Sequence, residues 1–156
     1  TGLLATTKER ELINQVIKED KYNVFESSKP KVSFVMFAPA QGAILQNYNA
    51  LNKHLAVKIA LTSNTPIKSV AAGTVIFSDW TPSSGYVIIV HHKDDILSVY
   101  KNAASTTKKQ GNIVKSGEVI ALAGNSNTVQ NMGVTLVFEL WKDGFPIDPT
   151  QFINFN

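Results

Sequence analysis

The chain is constrained most strongly by its run of short apolar segments, rich in valine and isoleucine, that begins near residue 32. Turn sequences such as Pro82-Ser83-Ser84-Gly85 and Gly124-Asn125-Ser126-Asn127 separate these segments. The segments cover residues 32–37, 43–46, 55–61, 67–71, 74–78, 86–91, 96–101, 119–123 and 135–141. Many short strands at this spacing predict a mainly β fold, an antiparallel sandwich or roll.

The N-terminal part of the chain has a different pattern. Residues 6–20 predict a helix, because Thr7 is a suitable cap and apolar residues recur on one helical face from Leu12 to Ile17. Residues 21–31, with Ser27-Ser28-Lys29-Pro30, read as a connector. We therefore divide the chain into an N-terminal helix and connector (1–31) and a β domain (32–156), which Asp148-Pro149 ends with a short capped helix.

Two segments of the β domain are faintly similar to each other. Residues 67–75 and 114–123 both run from apolar residues through a turn of small residues to apolar residues again. This echo resembles the paired units of the biotinyl/lipoyl-type half-barrel. Carriage of biotin or lipoate requires a lysine in a Met-Lys or Asp-Lys hairpin, and the sequence contains none, so we reject that function.

Composition excludes several classes of protein. A hydrophobic share of 44% and a charged share of 17% describe a globular domain. The net charge of +3 is too weak and too scattered to predict nucleic-acid binding. The chain has no cysteine and no apolar run near the roughly 20 residues that cross a bilayer. Because it starts at Thr1 and not at Met, we expect a piece whose export signal or membrane tether lies upstream.

Several motifs occur in an order that points to one family. They are Thr65-Pro66-Ile67, Ala72-Gly73-Thr74-Val75, Gly85 to His92, Leu97-Ser98-Val99-Tyr100, Val114 to Ala121, Phe138-Glu139-Leu140 and Asp148-Pro149. Together they resemble the lysostaphin/LytM-type zinc metallopeptidases, cell-wall endopeptidases built on a duplicated hybrid β motif. The resemblance covers about residues 38–152 and implies that β architecture.

The resemblance also places the family's active site on this sequence. Active members bind zinc through a His and an Asp in H-x-x-x-D and through the second His of H-x-H. The first segment here keeps His54 but has Lys58 in place of the Asp. The H-x-H segment reads Thr135-Leu136-Val137, and the catalytic His that follows Tyr-x in the family is Asn102.

These changes remove the chemistry that the family performs. Catalytic zinc needs three protein ligands and an open position for water, and only His54 remains. Val137 has no lone pair, and the ammonium of Lys58 repels a cation. Asn102 and Thr135 donate hydrogen bonds but do not titrate near neutral pH. We therefore predict a pseudoenzyme without a metal cofactor.

Other side chains with chemical potential have structural interpretations. His91 and His92 are adjacent, so in a strand they point to opposite faces and cannot chelate one ion; His92 reads as a structural histidine. Asp94-Asp95 is predicted to be a solvated turn. The large aromatic residues line a glycan or peptide groove or pack in the core: Trp80, Tyr86, Phe138 and Trp141.

The resemblance leaves three functional hypotheses. In the first, the domain resembles degenerate LytM-type activators of cell-wall amidases and binds the hydrolase, or peptidoglycan, through the old active-site groove. That groove would be lined by His54, Lys58, Tyr86, Asn102, Thr135 and Val137. The alternatives are an active zinc-dependent peptidoglycan endopeptidase and an inert scaffold tethered through the helix of residues 6–20. All three imply the bacterial cell envelope, in the periplasm or outside the cytoplasm.

Overall fold

Two antiparallel sheets form the domain, and the predicted β fold is confirmed. The computed structural model describes residues 31–124 and 134–156. The strands are β1 (Ile44–Gln46), β2 (Val57–Leu61), β3 (Pro66–Lys68), β4 (Gly73–Thr81), β5 (Gly85–His91), β6 (Ile96–Ala103), β7 (Ser105–Thr106), β8 (Ile113–Val114), β9 (Val119–Leu122), β10 (Val134–Lys142) and β11 (Phe145–Ile147). No helix in these ranges is long and apolar enough to span a membrane.

The main core lies between the two sheets. The large sheet has the order β1-β2-β10-β6-β5-β4-β8, with β11 also paired to β10, and the small sheet has the order β3-β9-β7. Fully buried residues of the large sheet, such as Ile59 and Phe138, share one core cluster with Ile67 and Ile120 of the small sheet. The small sheet therefore covers one face of the large sheet.

The two segments that echo each other in sequence pair with each other in space. Ile67 in β3 lies opposite Ala121 in β9, and Gly73 at the start of β4 lies opposite Val114 in β8. Gly73 is required there because a Cβ at this position would collide with the carbonyl oxygen of His91. The echo thus marks two interlocked β units that link the sheets.

Some predicted elements differ from the structure or lie outside it. Residues 32–37 form no strand: only Met36 of their apolar side chains is fully buried, while Val35 and Phe37 are exposed. Strands β7 and β8 escaped prediction because two residues are too few for a period-2 pattern, and the three-residue strand β11 was not predicted either. The predicted helix of residues 6–20 and its connector up to residue 30 lie outside the described residues, and the domain division stays a prediction.

The C-terminal cap that the sequence predicts is confirmed. A 3-10 turn covers Pro149–Gln151, and the side chain of Asp148 accepts a hydrogen bond from the backbone N–H of Thr150 at 3.0 Å. A second 3-10 turn covers Lys93–Asp95, where the sequence predicted a turn. Asp94 is not simply solvated, because its carboxylate accepts hydrogen bonds from both the backbone and the hydroxyl of Ser33.

His92 is a structural histidine, as its place in the sequence predicted. Its side chain is buried, with Nδ1 2.8 Å from the carbonyl oxygen of Ala72 and Nε2 2.7 Å from the hydroxyl of Ser98. The Ser98 hydroxyl lies 2.8 Å from that of Tyr100, which accepts from the N–H of Val70. Burial lowers the pKa of His92 and favours the neutral ring, although the hydrogen bond to Ala72 opposes this shift.

The low pKa of His92 makes the stability of the fold sensitive to mild acid. Unfolding exposes the ring, whose pKa returns to about 6.5, so the unfolded chain takes up a proton before the folded one does. Above about pH 6.5, the neutral ring of His92 makes its full contribution to stability. We expect the free energy of unfolding to decrease as the pH falls from there towards the folded-state pKa of His92. Urea unfolding at several values between about pH 7.5 and 5 measures the effect.

A matched pair of variants assigns that pH dependence to one ring. His92→Asn should flatten the dependence, while His91→Asn, at a half-exposed neighbour, should retain it. An unchanged pH profile in His92→Asn would contradict the assignment.

Candidate functional site

The large sheet has a second face that the small sheet does not cover, which we call the outer face. Along β10, Leu136, Phe138 and Leu140 are buried in the main core. Because side chains alternate across a strand, the residues between and next to these three point to the outer face. These are Thr135, Val137, Glu139 and Trp141. Trp141 accordingly belongs to a second apolar cluster, separate from the main core.

The register of the three central strands sets Lys58, Val137 and Lys101 in one row. Val137 in β10 pairs with Lys58 in β2 on one side and with Lys101 in β6 on the other. Directly opposed residues share a face, and their Cβ atoms lie about 5 Å apart. Thr135, opposite Ala60, is two residues along β10 on this face. The structure thus brings together three of the predicted site residues: Lys58, Thr135 and Val137.

His54 precedes β2, and its ring is held by a backbone carbonyl group. It forms an isolated bridge with Asn49, and its Nδ1 lies 2.7 Å from the carbonyl oxygen of Asn47. A carbonyl only accepts, so Nδ1 carries the proton and Nε2 keeps its lone pair. Histidines that bind metals are oriented by the same kind of hydrogen bond.

Asn102 ties the end of β6 to β10. Its φ of 71° lies in the left-handed region, which asparagine adopts more readily than most residues. Its side-chain amide donates to the carbonyl oxygen of Thr135 at 2.6 Å, and its backbone N–H donates to Ser84 at 2.7 Å. Asn102 therefore borders the row of Lys58 and Val137 while it holds two strands in place.

A buried carboxylate, which the sequence did not single out as a site residue, stabilises the outer face. Glu139 is 7% exposed; its Oε2 lies 2.7 Å from the Nζ of Lys101, and its Oε1 accepts from the indole N–H of Trp141 at 2.9 Å. Both oxygens are thus occupied by side chains of the same face. The available signal was the position of Glu139 in an alternating strand, where an acidic residue among apolar ones needs a partner.

The large aromatic residues do not line one groove. Phe138 lies in the main core, and Trp141 packs on the outer face with Val87 and Val99. Tyr86 is half-buried and packs against the main core. Trp80 is 57% exposed. Core packing therefore accounts for Phe138, and the assignment of Tyr86 to the groove stays a prediction.

A shallow pocket opens farther along the outer face. His91, Asp95, Leu97 and Asp143 line it together with Gly144. Within this pocket, the Nε2 of His91 lies 3.2 Å from a carboxylate oxygen of Asp95. Both side chains are substantially exposed, and such a surface pair contributes little to stability.

The residues around Val137 do not fit a zinc ion. Zinc binds imidazole nitrogens, thiolates and carboxylates, and a catalytic site needs three of them. The row itself offers the ammonium groups of Lys58 and Lys101 and the isopropyl group of Val137, none of which is a zinc ligand. Across the ranges 31–124 and 134–156, no group of three or more His, Cys, Asp or Glu residues is placed to hold a metal ion.

The fold and the matched sequence identify the family of the chain. The profile of Peptidase family M23 matches residues 52–149, and the chain belongs to this family. The solved structure of Csd3 from Helicobacter pylori superimposes with a TM-score of 0.68 at 24% identity, over 78% of this chain and 33% of that one. That likeness concerns the fold alone.

Two named relatives share more of the sequence. The murein hydrolase activator EnvC of Escherichia coli is 31% identical over 121 residues, which are 75% of this chain and 28% of EnvC. Stage II sporulation protein Q of Bacillus subtilis is 32% identical over 83 residues, which are 53% of this chain and 29% of that protein. The chain thus spans less than a third of the length of either relative.

Proposed function

We propose that this M23 domain is a non-catalytic module of the bacterial cell envelope that binds and activates a cell-wall hydrolase, an amidase, through its outer face. The observation that carries the proposal is the row of Lys58, Val137 and Lys101. By the family resemblance, Lys58 and Val137 correspond to zinc ligands of active members, but neither side chain can hold a cation. The face around it remains uncovered by the small sheet.

The residue types argue against peptidase activity. Metal activation of water and proton transfer both need groups that the row of Lys58, Val137 and Lys101 lacks. By the family resemblance, Asn102 and Thr135 replace histidines, and neither is a general base at neutral pH. The same substitutions leave the sheet intact, because the residues that build its core lie on the opposite face. A domain of this kind keeps its binding surface while it loses turnover.

The relatives support an envelope location and a protein partner. One is named as a murein hydrolase activator, and others are named as lipoproteins. Stage II sporulation protein Q has been solved in a pore-forming complex with SpoIIIAH, a structure that matches this chain with a TM-score of 0.60. We infer that this chain likewise acts in the envelope by binding another protein.

Blocking the outer face should abolish activation of the hydrolase. Candidate zinc amidases from the same cells are purified, and their release of soluble fragments from peptidoglycan is measured with and without the domain. We expect the domain to stimulate one of them and to have no hydrolytic activity alone. Val137→Trp should remove the stimulation, because the new ring stands in the middle of the row.

The control places the same side chain elsewhere. Ile113→Trp lies on β8, the edge strand at the far side of the large sheet, and Ile113 is already 81% exposed. That variant should stimulate like the unmodified domain. Full stimulation by Val137→Trp, or hydrolysis by the domain alone that disappears in His54→Ala, would overturn the proposal.

A further inference from the structure

Lys58 carries a charge without a counter-charge in the described part of the chain. It is half-buried in the middle of β2, between the core residues Val57 and Ile59. Lys101, Lys108 and Lys142 each form an ion pair with a carboxylate, but Lys58 forms none within residues 31–124 and 134–156. The ammonium of a half-buried lysine that lacks a carboxylate partner is a ready site for one from another molecule.

Lys101, at the other end of the row, has a carboxylate partner, unlike Lys58 within the described residues. Lys101 lies about two strand spacings, or about 10 Å, from Lys58 across Val137. Its charge is balanced by Glu139, which is buried and has its second oxygen bound to Trp141. Both carboxylate oxygens of Glu139 therefore already have partners, Lys101 and Trp141. The row as a whole retains one positive charge, at Lys58.

Polar and apolar neighbours of Lys58 define what the ligand must look like. Thr135 is on the same face, and its hydroxyl makes no hydrogen bond within the described residues, so it can donate to a carboxylate. Val137 lies directly beside Lys58, and the apolar cluster of Val87, Val99 and Trp141 continues the face. A ligand that fits has one carboxylate flanked by apolar groups.

We propose that Lys58 is the anchor of this face and receives an aspartate or glutamate side chain of the protein partner, whose adjacent apolar side chains pack over Val137. The inference rests on the proposed function and names the chemistry of the same contact. A protein segment supplies both the carboxylate and the apolar neighbours, whereas a glycan strand supplies no apolar side chains. The charge specifies the partner, and apolar burial adds affinity.

Carbodiimide coupling tests the contact directly, because it joins a lysine amine to a carboxylate in contact as an amide and takes up the water that is lost. The probe is the envelope fraction of the source cells mixed with the purified chain. The Lys101–Glu139 pair, at 2.7 Å, provides an internal positive control for the reaction. We expect peptide mapping to find Lys58 joined to an Asp or Glu residue of another protein, and Lys58→Arg to lose only that product.

The outcomes separate the sources of the carboxylate. Coupling of Lys58 to peptidoglycan stem peptides would overturn the protein assignment. Coupling at Lys101 with none at Lys58 would overturn the contact itself. A partner protein recovered through other lysines would leave the proposed function standing and still overturn the role of Lys58.

Charge exchange gives the quantitative test. Once the coupled residue is known, Lys58→Glu should weaken binding to the purified partner at least about tenfold, or about 1.4 kcal/mol. Replacement of the partner's acidic residue by lysine should restore binding to Lys58→Glu. If Lys58→Glu binds the original partner and the charge-reversed partner equally weakly, the substitution disturbs the sheet, and that result would reject the ion pair. Amidase stimulation by Lys58→Gln is measured in parallel, because retained stimulation contradicts this inference alone.

Discussion

Conversion of Lys58 to Asp together with Val137 to His is expected to make the domain bind zinc at about one equivalent per chain. Residues 58 and 137 are directly opposed on neighbouring strands, so their side chains can reach one ion. His54 already points its Nε2 lone pair away from the Nδ1–H that contacts Asn47. The double variant therefore supplies three ligands where the unmodified chain has one.

Elemental analysis after dialysis measures the outcome. The unmodified chain should hold less than about a tenth of an equivalent, because a single imidazole is too few ligands to hold zinc. The single variant Val137→His should also stay low, since Lys58 remains. In the double variant, zinc at about 100 times its dissociation constant should stabilise the fold by about 2.7 kcal/mol.

Two results would contradict the placement of the site. One equivalent of zinc in the unmodified chain would mean that its ligands lie elsewhere. A double variant that folds, as judged by its unfolding transition, yet binds no zinc would mean that His54 does not converge with residues 58 and 137.

Phe138→Ala is expected to destabilise the domain by about 3–5 kcal/mol, the usual range for removing a buried aromatic ring. Phe138 is fully buried and contacts two other rings, with centroid distances of 5.3 Å to Tyr100 and 6.3 Å to Phe155. The adjacent Val137 faces the opposite way and is only half-buried. Val137→Ala should therefore cost about 1 kcal/mol or less.

Urea unfolding measures the free energy of unfolding of both variants and so compares the two faces of β10. The pair is matched because the substitutions are adjacent in one strand and both introduce alanine. Equal losses of stability would contradict the assignment of Phe138 to the core and Val137 to the outer face. In the amidase assay, we expect Val137→Ala to reduce stimulation by more than its small loss of stability explains.

The residue types at the positions that the family resemblance assigns to zinc were decided by the sequence. Valine cannot coordinate a metal, and lysine at position 58 repels one, in any arrangement of the chain. Strand positions were also readable where alternation continued over five or more residues, as in β2 and β10. The structural role of His92 was predicted as well, and the structure shows this residue buried.

The contacts of the site were decided by tertiary structure alone. Lys101 and Glu139 become a pair because β6 and β10 adopt one register, which no local pattern specifies. The same holds for the amide of Asn102, which binds the backbone of Thr135, and for Tyr86, which packs against the main core. Side-chain chemistry is intrinsic to a residue, whereas its partners depend on strand pairing between segments far apart in the chain.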